Sequence, residues 1–77
     1  METLQLGSID IGGGVFAVQA WLSDGPIVLI QTLDAGGEKK NSRLDLQKAM
    51  FIDALPGNRM QDGVTRVIKS VRAYSHT

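Results

Sequence analysis

The chain has 77 residues, with eight Lys and Arg residues against eight Asp and Glu residues, one histidine and no cysteine. The lack of cysteine excludes disulfides and thiolate ligands, and His76 alone offers no His/Cys cluster, so we expect neither a metal site nor a cofactor. A chain of this length forms one domain, residues 1–77, whose core is thin because only about 60% of the unfolded chain's surface becomes buried. Such small domains commonly gain stability from a partner subunit.

Charge is distributed unevenly along the chain. Residues 1–38 contain five acidic residues and no Lys or Arg, whereas residues 39–77 contain eight basic and three acidic residues. The two halves either lie against each other so that their charges compensate, which we favour, or form a basic face for an anionic partner. The opening METLQLGSID has neither the basic and apolar segments of a signal peptide nor a membrane span, so we expect a cytoplasmic protein without membrane contact.

The first strand is predicted at residues 3–11. Its apolar residues change phase, from Leu4 and Leu6 to Ile9 and Ile11, across the Gly7-Ser8 step. A change of phase within one strand indicates a β-bulge or an edge strand.

Two further strands are predicted at residues 15–22 and 27–33, joined by the turn Ser23-Asp24-Gly25-Pro26. Regular alternation places Phe16 and Trp21 on opposite faces of the second strand, so both of its faces carry apolar groups. The first half of the chain is therefore predicted to form a three-stranded antiparallel meander.

Gly12–Gly14, followed by Val15-Phe16-Ala17, fits the loose pattern G-x-G-x-x-G/A and has Asp34 20 residues beyond it. The pattern resembles the dinucleotide-binding turn of flavoproteins and dehydrogenases, which implies a helix directly after the glycines to hold a pyrophosphate. The segment VFAVQAWL instead alternates with period two and is rich in β-formers. We therefore expect the glycines to make a positive-φ connection between two strands.

A helix is predicted at residues 42–55, because Ser42 and Asp45 fit a capping box and Pro56-Gly57 would end it. Its apolar residues surround most of the helical wheel, so it would need cover on more than one side. Residues 64–74 have helical spacing but strand-like composition; we favour a helix over a final strand. The predicted fold class is α+β.

No arrangement of side chains predicts catalysis. Asp45 and Asp53 would be two helical turns apart, and the serines have no ordered histidine as a base. Asp10, Asp24 and Asp34 lie at predicted strand ends or turns, where aspartate bonds its own backbone. We expect a protein that is not an enzyme.

Apolar residues on both faces of the sheet predict self-association. One face can pack on the helices, and the other would expose large apolar side chains unless the C-terminal element covers it. The leading hypothesis is a non-enzymatic interaction module that forms a homodimer; binding of a further, unknown protein is left open. The candidate interface residues are Phe16, Trp21, Leu29, Met50 and Phe51.

Two alternatives stay open. The first is a nucleic-acid-associated regulator that uses Arg66, Lys69 and Arg72 on one side of a C-terminal helix, although the net charge of zero and the scattered aromatic residues argue against it. The second is a nucleotide or small-molecule binder at the Gly12–Gly14 turn.

Overall fold

A computed structural model describes residues 2–53 and 61–75 of the chain. The fold is α+β: a five-stranded antiparallel sheet in the order β1-β2-β3-β4-β5, followed by one C-terminal helix. The elements are β1 (Thr3–Gly12), β2 (Val15–Trp21), β3 (Ile27–Leu33), β4 (Lys39–Asp45), β5 (Met50–Phe51) and α1 (Gln61–Ser75). The predicted three-stranded meander is the first part of this larger sheet.

The glycine segment joins β1 to β2, as predicted. Gly12 pairs with Val15, which leaves Gly13 and Gly14 as the two-residue loop, with φ angles of 63° and 75°. Positive φ at both positions is what a type I′ hairpin turn requires. Asp10 supports the turn, because its Oδ1 accepts a 2.8 Å hydrogen bond from the Gly12 N–H. A strand follows the glycines, so the helix that a dinucleotide-binding turn needs is not there.

The predicted irregularity in β1 is a β-bulge. The pairing of β1 with β2 shifts register between Gln5 and Ile9, and Gly7 within this stretch has a φ of 75°. The bulge changes the phase of the strand, so the leucines before it and the isoleucines after it all face the same side. Leu4 and Leu6 pack against the core that contains Ile9 and Ile11.

A second bulge, in β2, makes one expectation wrong. The register between β2 and β3 shifts between Ala17 and Gln19, which leaves Val18 as an extra residue. Because one extra residue reverses the alternation beyond it, Phe16 and Trp21 lie on the same face of the sheet rather than on opposite faces.

The helix predicted at residues 42–55 is wrong, because residues 42–45 belong to β4 and residues 50–51 form β5; residues 54–55 lie outside the described residues. Residues 39–45 pair in continuous register with β3, with Ser42 and Leu44 buried and Arg43 exposed between them. Asp45 does not cap a helix; its Oδ1 accepts hydrogen bonds from the backbone N–H groups of Gln47 (2.9 Å) and Lys48 (3.0 Å). This arrangement closes the turn into β5.

The predicted C-terminal helix at residues 64–74 lies within α1. It is the one helix of the described residues rather than the second of two. Its buried side chains are Val64, Val67, Ile68 and Val71, and they join strand residues in a single core. The strand residues of that core are Ile9, Ile11, Val15, Ala17, Ala20, Val28, Ile30, Leu44 and Phe51.

The helix runs antiparallel to β1. Gly63, in its first turn, lies against Asp10 and Ile11 at the end of β1, and Tyr74, in its last turn, reaches Glu2 just before β1 begins. A Cβ atom at Gly63 would overlap the Asp10 carbonyl oxygen and lie 3.0 Å from the Ile11 Cα. The absence of a side chain therefore sets how closely the helix approaches the sheet.

We predict that Gly63→Ala destabilises the fold by about 1–3 kcal/mol, because the strain of separating helix and strand outweighs the ~1 kcal/mol gain in helix propensity. The measurement is the denaturant midpoint. Gly25→Ala is the matched control, since a Cβ there meets nothing within 4 Å and its φ is not positive. Equal stability of the two variants would contradict the close packing described for Gly63.

Ala49 ends the turn before β5 with a φ of 56°, which is the left-handed region that costs a residue with a Cβ about 1 kcal/mol. We predict that Ala49→Gly raises the free energy of unfolding by about 0.5–1 kcal/mol. Ala73→Gly, on the exposed side of α1, serves as the control and should lower it by about 1 kcal/mol. Chemical denaturation of both variants distinguishes the opposite signs; a loss of stability in Ala49→Gly would contradict the prediction.

Candidate functional site

The face of the sheet opposite α1 is not covered by any helix or strand of the described residues. We call it the open face. Buried and half-buried residues alternate along β3, and along β2 except at the bulge, and the buried apolar ones belong to the core beneath α1. The half-buried ones therefore point to the open face, where cross-strand pairing brings them side by side.

Two apolar pairs lie on β2 and β3, the inner two of the four long strands. Trp21 pairs with Leu29 across β2 and β3, and Phe16 pairs with Leu33 further along the same two strands. All four side chains are half-buried. Beside them, Met50 and Ile52 at the β5 edge are 53% and 45% exposed, which are the largest exposed fractions among the large apolar side chains described.

A row of carboxamides separates the two apolar pairs. Gln5 pairs with Gln19, Gln19 with Gln31, and Gln31 with Asn41, so the row crosses β1, β2, β3 and β4. A carboxamide both donates and accepts hydrogen bonds. Within the described chain, none of the four side-chain amides takes part in a hydrogen bond with another residue, so they are available to a binding partner.

Charged residues lie toward the margins of the open face. The Arg43 guanidinium forms an ion pair with Asp53, with Nη2 2.9 Å from Oδ1, and the Arg43 backbone N–H donates a 2.7 Å hydrogen bond to Oδ2. The guanidinium hydrogen bond, followed by the backbone one, holds the pKa of Asp53 below its ordinary value. In the row that contains Phe16 and Leu33, Asp10 on β1 and Lys39 on β4 stand at opposite ends.

The structure brings together four of the five predicted interface residues. Phe16, Trp21, Leu29 and Met50 share the open face. Phe51 does not, because it pairs with Leu44 on the helix-covered side and is only 5% exposed. Sequence reasoning missed Ile52 and the carboxamide row, since both depend on a pairing register that no single strand reveals.

The basic residues proposed for nucleic-acid contact lie on the outer side of α1. Arg66, Lys69 and Arg72 are all exposed, at successive steps of three residues. Arg72 is also used within the fold, because its Nη2 donates a 3.0 Å hydrogen bond to the Leu46 carbonyl oxygen. Nucleic-acid binding by these residues stays a prediction.

A cleft of about 520 Å³ lies between the end of α1 and the β2–β3 turn. Its floor is apolar, formed by Leu22, Val28, Leu46 and Val71, and its rim includes Glu2 and Asp24. The Tyr74 hydroxyl donates a 2.9 Å hydrogen bond to Glu2 Oε2, and this bond to a carboxylate raises the pKa of Tyr74. The contact fastens the last turn of the helix to the start of the sheet.

The described residues contain no group of three or more His, Cys, Asp or Glu side chains placed to hold a metal ion. No helix among them is long and apolar enough to cross a membrane.

Comparison with known proteins gives no match to a family, a curated protein or a solved structure.

We predict that Glu2→Gln lowers the pKa of Tyr74 toward its ordinary value, because the hydroxyl then faces a neutral acceptor. Since the chain has one tyrosine, the ultraviolet absorbance of tyrosinate follows this group alone. The folded-state pKa is raised, so the contact adds stability below the ordinary tyrosine pKa and loses it as pH rises through the folded-state pKa. Asp24→Asn, in the same cleft, is the control; an equal shift there would contradict a specific Glu2 contact.

Proposed function

We propose that this protein is a non-enzymatic interaction module that associates with a second copy of itself through the open face. The observation that carries the proposal is the pairing of Trp21 with Leu29 and of Phe16 with Leu33 on a face that no described helix or strand covers. Exposed large apolar side chains interspersed with polar groups are typical of protein interfaces. Tryptophan in particular is enriched among the residues that contribute most to binding.

The carboxamide row favours a second copy over an unrelated partner. In a twofold-symmetric dimer the same patch occurs on both sides, so the patch must be complementary to itself. A row of Gln and Asn meets this requirement because every member can donate to, and accept from, an identical group. Apolar side chains are likewise compatible with themselves.

The size of the face indicates a modest affinity. Four strands ~4.8 Å apart, with about seven residues at ~3.3 Å each, give a face of roughly 19 by 23 Å. Its projected area of roughly 450 Å² is smaller than the ~800 Å² that each partner buries in a standard stable complex. We therefore expect a dissociation constant in the micromolar range, where association depends on protein concentration.

The roles of the carboxylates support a protein without catalytic activity. Asp10, Asp34 and Asp45 each accept hydrogen bonds from backbone N–H groups of their own turns, and Asp53 is paired with Arg43. These groups act as structural acceptors rather than as pairs arranged for proton transfer.

The proposal predicts a monomer–dimer equilibrium that a charge on the open face disrupts. Leu29→Lys should weaken association by about tenfold to a hundredfold, because it places an unpaired ammonium between apolar residues of the interface. Sedimentation velocity over a concentration series measures the effect. Ala73→Lys, which adds the same charge on the exposed side of α1, is the matched control and should dimerise like the unmodified protein.

Trp21 gives an independent measurement, since it is the one tryptophan in the chain. Its emission should shift to longer wavelength on dilution, as water replaces the partner. If Leu29→Lys lowers the stability of the monomer, Ile52→Lys replaces it, because that side chain is already 45% exposed. A chain that remains monomeric at millimolar concentration would contradict the proposed function.

A further inference from the structure

We infer that the two copies are related by a twofold axis parallel to the strands, which places Asp10 of each copy opposite Lys39 of the other. This inference rests on the proposed self-association and specifies its geometry. It follows from the order of residues in the three rows that cross the open face from β1 to β4. One of these rows has an acidic residue at one end and a basic residue at the other.

The charged row is the one that distinguishes the possible arrangements. Read from β1 to β4, it consists of Asp10, Phe16, Leu33 and Lys39. A rotation about an axis parallel to the strands, between β2 and β3, reverses the order of the strands and keeps each row in place. The acidic end of the row then faces the basic end of the partner's row, and Phe16 faces Leu33 of the partner subunit.

The same rotation matches the other two rows. Gln19 of one copy faces the partner's Gln31, and the amides at the ends of that row face each other in the same way. Trp21 faces the partner's Leu29, so each large ring lies against a smaller aliphatic side chain. Face-to-face sheets commonly pack with their strands nearly aligned, which is the orientation that this axis produces.

The other twofold axis that keeps the strands of the two sheets aligned runs along the rows, and it gives a poorer match. It reverses the strand direction and brings the charged row against the row of Trp21 and Leu29. Lys39 would then face the partner's Arg43, and Asp10 would face the partner's Thr3. Because Arg43 is already paired with Asp53 within its own copy, this arrangement offers Lys39 no free carboxylate and Asp10 no cation, which disfavours it.

The groups that would pair across the axis are available. Asp10 is exposed and uses Oδ1 to accept from the Gly12 N–H, which leaves Oδ2 without a hydrogen bond or ion pair to a described residue. Lys39 is exposed, and its ammonium makes no ion pair within the described part of the chain. Two such pairs form in each dimer because the axis repeats the contact.

The test is a charge-reversal experiment with two variants, Asp10→Lys and Lys39→Glu. Each alone places like charges opposite each other twice per dimer, so each should weaken self-association by roughly tenfold at low salt. In an equimolar mixture, the two lysines of the first variant face the two carboxylates of the second. The mixture should therefore form heterodimers about as tightly as the unmodified protein forms homodimers, measured by native mass spectrometry and by sedimentation.

Matched controls carry the same charge changes elsewhere. Asp24→Lys in the β2–β3 turn and Lys69→Glu on α1 are both exposed and lie off the open face, so neither should change association, alone or mixed. Asp10→Lys also loses the hydrogen bond to the Gly12 N–H, and its folding is checked by circular dichroism. Asp10→Asn keeps that acceptor and should show a smaller weakening in the same direction.

The outcomes separate this inference from the proposed function. Weakened homodimers together with restored heterodimers support the twofold axis parallel to the strands. Dimerisation of the unmodified protein that neither charge reversal affects overturns the axis and leaves self-association in place. An unmodified chain that is monomeric at every concentration overturns both.

Discussion

One helix of 15 residues covers a five-stranded sheet, and this imbalance determines the rest of the structure. A helix is about 10 Å wide, so α1 seals a core on one side of the sheet and has no counterpart among the described residues on the other. The close approach at Gly63 places the valines of α1 directly on β1 and its neighbours. The apolar side chains of the open face must therefore be shielded from water by neighbouring side chains or by another molecule.

The two β-bulges decide which residues meet that requirement. In β1, the bulge near Gly7 turns all four aliphatic residues toward the helix, which removes apolar groups from the open face. In β2, the extra residue Val18 adds an apolar side chain to the open face, since it brings Trp21 to the face on which Phe16 lies. A one-residue offset in a strand exchanges its two faces, so these irregularities distribute the apolar side chains as effectively as composition does.

Sequence reasoning recovered the features that local chemistry specifies. The triple glycine, the turn aspartates, the phase change near Gly7 and the 3.6-residue spacing of the last segment each determine structure within a few residues. The prediction of a helix at residues 42–55 was wrong because apolar residues on all sides of a helical wheel are equally typical of a short strand, a turn and a further strand. The bulge at Val18 could not be predicted because the sequence has no glycine there to indicate it. The carboxamide row could not be predicted because it forms only when four strands pair in the observed register.

The two edges of the sheet disfavour edge-to-edge association between molecules of this protein. β5 is only two residues long, so no described strand pairs with the outer side of β4 at Lys39, Lys40 and Asn41, which are exposed. Consecutive lysines on a bare strand repel an approaching strand of the same kind, and a kinked β1 presents a poor template on the opposite side. Growth by strand addition, the route to fibrils, is thereby obstructed in both directions, and a crowded solution of this protein should stay free of amyloid.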